Sequence, residues 1–248
     1  MCKNFRTILT GICITICISS VSACGTNSAT TSKSSSETKV LRYADSLQEM
    51  AQQILNQDKN TMNDTQREII ERAIQNDGKV STADYERAWQ AYNQCIVDKG
   101  YNPQPLVQIE GIYLDGYSLD TSYTEELQQK FENDESSCLC ENVLEVQSLY
   151  KASKGNPNLL TGDDAIVDCL RRENLVPKSY TVKNFSQDQT QYTEIRAKSG
   201  QPFAPETLKK AAESLSFDLD NNAARLCLAT NGANVLLRSN APRWHPFK

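Results

Sequence analysis

The chain has 248 residues, 39% of them hydrophobic and 23% charged, an ordinary soluble composition for one domain or two small ones. Its formal charge of −5 becomes −7 once Lys3 and Arg6 of the first 23 residues are set aside, so there is no basic footprint for nucleic acid. A single histidine excludes His-rich zinc sites and paired-histidine acid–base chemistry, and neither a phosphate-cradling glycine loop nor a nucleophile elbow is present.

Residues 1–23 read as an export signal. Lys3 and Arg6 form a positive start, and Ile8 to Ala23 is apolar to small. As a helix these sixteen residues rise about 24 Å, short of the ~30 Å hydrocarbon core. The run ends in Val21-Ser22-Ala23-Cys24, and over these four positions the chain resembles bacterial lipoproteins with a type II signal peptide. That resemblance implies cleavage before Cys24, acyl chains on Cys24, and a stable lipid anchor on the outer face of the cell membrane. Residues 24–40 carry nine Ser or Thr and almost nothing to bury, which predicts a disordered tether reaching about 22 Å.

The body from residue 41 is expected to be mainly α with a small β-hairpin, a disulfide-stapled helical domain with one half over 41–156 and a second over 157–248. Leu47, Met50, Ala51, Ile54 and Leu55 form one helical stripe, and Ile69, Ile70, Ala73 and Ile74 a second. A third helix starts at Ser81, a cap with Asp84 three residues on, and carries Tyr85, Trp89, Tyr92 and Ile96 on one face as far as Gly100. Near 106–119 the period changes to two, with Asp115-Gly116 as the stronger turn signal and Glu110-Gly111 as the weaker. Helix resumes behind a Ser122/Glu125 capping box and runs to Lys154-Gly155, with a break expected near Asp134. Further helices are expected at Asp163–Glu173, Phe185–Ala197, Pro205–Leu215 and Asn221–Thr230, a short strand within 175–182, and an irregular tail over the last ten residues.

Five cysteines lie beyond Cys24, and in an exported domain they are expected as disulfides. Three share one local pattern: Cys95 in CIVDKG, Cys169 in CLRREN and Cys227 in CLATNG. Each places Gly or Asn where a helix ends in the left-handed conformation. The expected pairs are Cys95 with Cys138 or Cys140, and Cys169 with Cys227; the odd count leaves one of Cys138 and Cys140 over, as a free thiol or in a strained local bridge with the other. No metal site or cofactor is expected.

Residues 66–101, through DGKVSTADYERAWQAYNQCIVDKGY, resemble uncharacterised exported lipoproteins of actinobacteria. That resemblance brings no catalytic or ligand residue with it. Tyr101, Tyr113, Tyr117 and Tyr123 crowd on and around the expected hairpin and are candidate binding aromatics for cell-wall glycan or an envelope protein, unless they pack the hairpin on the helices. The function expected is therefore binding, at the membrane through the lipid anchor and with no nucleic-acid partner. Two alternatives are a two-carboxylate envelope hydrolase and a solute-binding receptor of an importer.

Overall fold

The structure, a computed structural model, describes residues 41–114, 118–119, 123–233 and 243–247. The expected signal segment, Cys24, the tether, Asp115-Gly116, Tyr117 and the Ser122 cap lie outside these residues.

Three helices open the body, each started by a short polar side chain. Ser46 caps α1 (Leu47–Asp58), Asn63 caps α2 (Asp64–Gln75) and Ser81 caps α3 (Thr82–Asp98), in each case by accepting a backbone N–H of the first turn. The α2–α3 turn needs Gly78: its φ is +77°, and a Cβ there would lie 2.1 Å from the backbone carbon of Leu47. Strands β1 (Val107–Ile109) and β2 (Ile112–Leu114) form an antiparallel hairpin with Ile109 opposite Ile112. Its turn is Glu110-Gly111, at φ +49° and +78°. Positive φ at both central residues is the turn geometry that matches strand twist, so the weaker sequence signal is the one that closes this hairpin.

Two later boundaries differ from expectation. Thr124, rather than Ser122, caps α4 (Glu125–Asn142), accepting from Leu127 N at 3.3 Å. The break before α5 (Leu144–Gly155) falls at Val143, not near Asp134. Asn142 turns its amide back onto the Cys138 carbonyl at 2.9 Å, and the first amides of α5 are met from another helix: Gln66 Oε1 accepts from Glu145 N at 2.9 Å and from Val146 N at 3.4 Å. Val143 offers no capping oxygen, and the buried Gln66 replaces it.

The second stretch holds α6 (Gly162–Arg172), α7 (Val182–Lys198), α8 (Pro205–Ala212) and α9 (Asn222–Thr230). No strand forms within 175–182. Tyr180 N bonds back to the Pro177 carbonyl at 2.9 Å, and Thr181 and Asn184 then build a capping box for α7. Nor is the tail irregular throughout. Strand β3 (Ser118–Leu119) pairs in parallel with β4 (Arg243–Trp244), Asn102 N donates to the Pro246 carbonyl at 2.7 Å, and Trp244 is buried.

Residues 40–248 make one compact unit with two principal hydrophobic clusters. The first joins α1 to α5 with Trp244 and is rich in rings: Tyr85 stacks on Tyr150 at 4.0 Å, and Phe131 meets Trp244 edge-on at 5.0 Å. The second joins α6 to α9 and is mainly aliphatic. The hairpin serves both, with Ile112 in the first cluster and Ile109 and Leu114 in the second.

One disulfide lies in each cluster, Cys95–Cys138 between α3 and α4 and Cys169–Cys227 between α6 and α9. Cys138 is thus the partner that sequence left open against Cys140. Cys140 is not the free thiol expected of the surplus cysteine, nor bridged to Cys138: it is outside these two bridges and is itself disulfide-bonded. The repeated cysteine unit has one geometry in all three copies. Gly100, Asn174 and Gly232 stand at φ +92°, +56° and +81°, and the next residue donates to the carbonyl just after the cysteine: Tyr101 to Ile96, Leu175 to Leu170, Ala233 to Leu228. This six-to-one bond is the Schellman helix stop. Among the described residues the fold is mainly α with one small antiparallel hairpin, and two bridges join described cysteines.

Candidate functional site

Of the candidate tyrosines, the three among the described residues, Tyr101, Tyr113 and Tyr123, do not form one platform. Tyr101 is buried, with its ring edge-on to Phe131 at 5.1 Å and to Phe247 at 5.6 Å. Its hydroxyl donates to Asp134 Oδ2 at 2.7 Å and accepts from Lys130 Nζ at 2.8 Å. Burial, partly offset by the Lys130 bond, raises the Tyr101 hydroxyl above its ordinary range. Tyr123 is half-buried against Phe247 at 4.3 Å. These two rings belong to the packing where the tail meets the first cluster. Tyr117 lies outside the described residues.

Tyr113 stands apart from them. It is half-buried on β2, with Tyr85 at 5.7 Å and Trp89 at 5.3 Å. Its backbone N–H donates to the Tyr85 hydroxyl at 3.0 Å, and its own hydroxyl donates to Glu86. Burial, then that carboxylate, raises the Tyr113 hydroxyl. The ring forms one wall of a groove of about 310 Å³ between α3 and the hairpin. The opposite wall is a polar stripe of α3: Glu86, Gln90, Asn93 and Gln94, ending at the exposed Val97. Spacings of three and four place these residues on one helical face. The apolar stripe of this helix is plain in the sequence, and the amide stripe beside it was legible by the same periodicity.

Two buried donors behind the groove lack acceptors among the described residues. Trp89 lines the groove yet is only 1% exposed, and its indole Nε1–H has no partner. Gln104, beside Pro103 at the groove's end, accepts from the Tyr92 hydroxyl at 2.6 Å while its Nε2 has none. Its backbone N–H donates to Asn93 Oδ1 at 3.1 Å. An unpaired buried donor costs about 1–3 kcal/mol, and both of these atoms lie beneath the surface of the groove rather than on it.

A carboxylate pair that sequence did not single out lies in the first cluster. Glu145 is 3% exposed and Asp58 6%. Burial, then the Asp58 charge, pushes Glu145 up to about 7. A raised carboxyl beside a second one is the pattern of an acid–base pair, but neither side chain is open to a substrate, and their role is in the stability of the fold.

Among the described residues no group of three or more His, Cys, Asp or Glu side chains converges as a metal site, and no helix is long and apolar enough to cross a membrane. His245, the one histidine, is exposed and supplies its backbone carbonyl to Asn102 Nδ2 at 2.8 Å. No family model, curated protein or solved structure matches the chain.

Proposed function

We propose that this is a lipid-anchored extracytoplasmic protein that binds an N-acetylated cell-wall glycan in the groove between α3 and the hairpin. The observation that carries the reading is the groove itself: a tyrosine wall facing an amide and carboxylate wall. Sugar rings present apolar C–H faces that rest on aromatic rings, and their hydroxyls pair with amides and carboxylates in both directions. The acetamido group of an N-acetylated sugar pairs with the side-chain amides of Gln90, Asn93 and Gln94. The volume fits a short segment of a chain rather than a whole polymer, as suits a protein that holds a wall strand.

The anchor part of the reading rests on the Val21–Cys24 lipobox and the polar tether, which would hold the groove close to the membrane face of the wall. Titration of chitotetraose into the protein, with maltotetraose as the control sugar, tests the glycan part. Tyr113→Ala and a Gln90→Ala/Asn93→Ala pair are expected to weaken chitotetraose binding at least about tenfold without loss of the folded transition. Equal affinity for both sugars, or binding unchanged in the variants, overturns it. Cys24→Ser tests the anchor: the protein should leave the membrane fraction for the medium.

A further inference from the structure

A second cleft, larger than the groove and distant from it in sequence, lies among α7, α8 and the return segment 213–220. Its volume is about 760 Å³, within the range of small-molecule sites. Tyr192, Leu208, Leu215 and Leu219 line it half-buried, over a buried Phe217. Half-buried apolar side chains that converge on one cavity leave apolar surface for a ligand to cover.

The walls are fixed in place. Asp188, 7% exposed on α7, accepts from the Tyr180 hydroxyl at 2.6 Å, from Ser216 N at 3.0 Å and from Ser216 Oγ at 3.0 Å. These bonds pin the return segment to α7. At the other end the Arg196 guanidinium lies over the Tyr192 ring at 5.4 Å and the Phe203 ring at 5.0 Å, and its Nε donates to the Pro202 carbonyl at 3.1 Å. Held from both ends, the cleft does not have to be opened by its ligand.

Its rim is acidic. Glu213, Asp218 and Asp220 line it together with Lys209, whose ammonium is 3.9 Å from Glu213. The lining therefore carries more negative than positive formal charge, which favours a cation over an anion beside the apolar floor.

We propose that this cleft binds a cationic amphiphile, a single apolar chain or ring system ending in an ammonium or guanidinium group. The apolar part covers Leu208, Leu215, Phe217 and Leu219 on the floor, and the cation sits at the Asp218 side of the rim. The site is independent of the glycan groove, and its outcome does not bear on that reading.

The test uses dodecyltrimethylammonium below its micellar concentration, with dodecyl sulfate and dodecyl maltoside as anionic and neutral probes of the same chain. Binding is read by calorimetry and by the rise in melting temperature. The ammonium probe should bind about tenfold more tightly than the neutral one, and the sulfate more weakly than either. Asp218→Asn should remove most of the cation preference while leaving maltoside binding unchanged, and Glu126→Gln on α4, of equal charge change, should remove none. Ala212→Trp, which fills the cleft, should abolish binding of all three. Equal binding of the three probes, an effect of Glu126→Gln as large as that of Asp218→Asn, or binding that survives Ala212→Trp overturns the proposal.

Discussion

Two buried carboxylates, one in each hydrophobic cluster, are held in opposite ways. Asp188 in the second cluster receives three hydrogen bonds, two of them from Ser216, which lies 28 residues along the chain. Glu145 in the first has no donor for its Oε1 among the described residues, and it shares its surroundings with Asp58. The difference does not come from burial, since both are under a tenth exposed. It comes from where the nearby N–H groups are already committed. Glu145 stands in the first turn of α5, where free amides normally welcome an acid, but Gln66 has taken the amides of Glu145 and Val146. One buried acid is a clamp and the other a liability.

Breaking the clamp should have the largest effect. Asp188→Ala leaves the buried Tyr180 hydroxyl without its acceptor and removes three bonds to a carboxylate, at a cost of about 5 kcal/mol, read by urea denaturation. It should also loosen the 213–220 segment, seen as faster amide exchange there than in α3. Removing the staples comes next. The bridges span 43 and 58 residues, so loop closure gives each about 4 kcal/mol and little to choose between them. Cys95→Ala and Cys169→Ala should therefore destabilise almost equally, and a difference much beyond about 1 kcal/mol would mean that one cluster tolerates an open chain better than the other.

The liability has a pH signature. Glu145 rises from 4.5 in the unfolded chain to about 7 in the fold, so between those values the folded state keeps a proton that the unfolded state releases. Its effect on stability is nil below pH 4.5, grows as the pH climbs, and is complete above about pH 7 as a loss of about 3 kcal/mol. Glu145→Gln should match the parent at pH 4 and exceed it by about 3 kcal/mol at pH 8, in denaturation curves taken across that range. A parallel shift at both pH values would show that packing, not charge, governs the site.

The legible parts of this fold are those whose cause is local. The three cysteine units and their Gly or Asn stops act within six residues, so their helix ends could be read directly from the chain. The hairpin was legible in place but not in turn: Asp-Gly is the stronger statistical signal, yet the closing bend uses Glu110-Gly111, whose strands put Ile109 and Ile112 toward the clusters. What stayed hidden depends on distant partners. Gln66 serves as a helix cap 79 residues away, and Trp244, in a proline-bounded tail with no period, fills the first cluster beside Phe131. The tyrosine crowding stayed ambiguous for a related reason: nearness in sequence says nothing of which rings face inward, and Tyr101 and Tyr123 pack toward Phe247 while Tyr113 packs toward Trp89.

The seam between the two clusters offers the smallest effect and one whose sign decides. Gly155 ends α5 against α9, where an added Cβ would stand 1.8 Å from Thr230 Oγ1 and 2.5 Å from its Cβ. Thr230 is not able to swing away cheaply, because its hydroxyl donates to the Leu226 carbonyl at 2.7 Å. The Gly155 carbonyl is also engaged, accepting from Arg172 Nη2 at 3.0 Å. In a helix without such a neighbour, Gly→Ala stabilises by roughly 0.5–1 kcal/mol through the unfolded chain's lost freedom. Here overpacking opposes that gain and should exceed it, for a net loss of about 2 kcal/mol. A stabilised Gly155→Ala protein would place α5 and α9 farther apart than they stand here, and the two clusters would then be joined less closely than the rest of the packing implies.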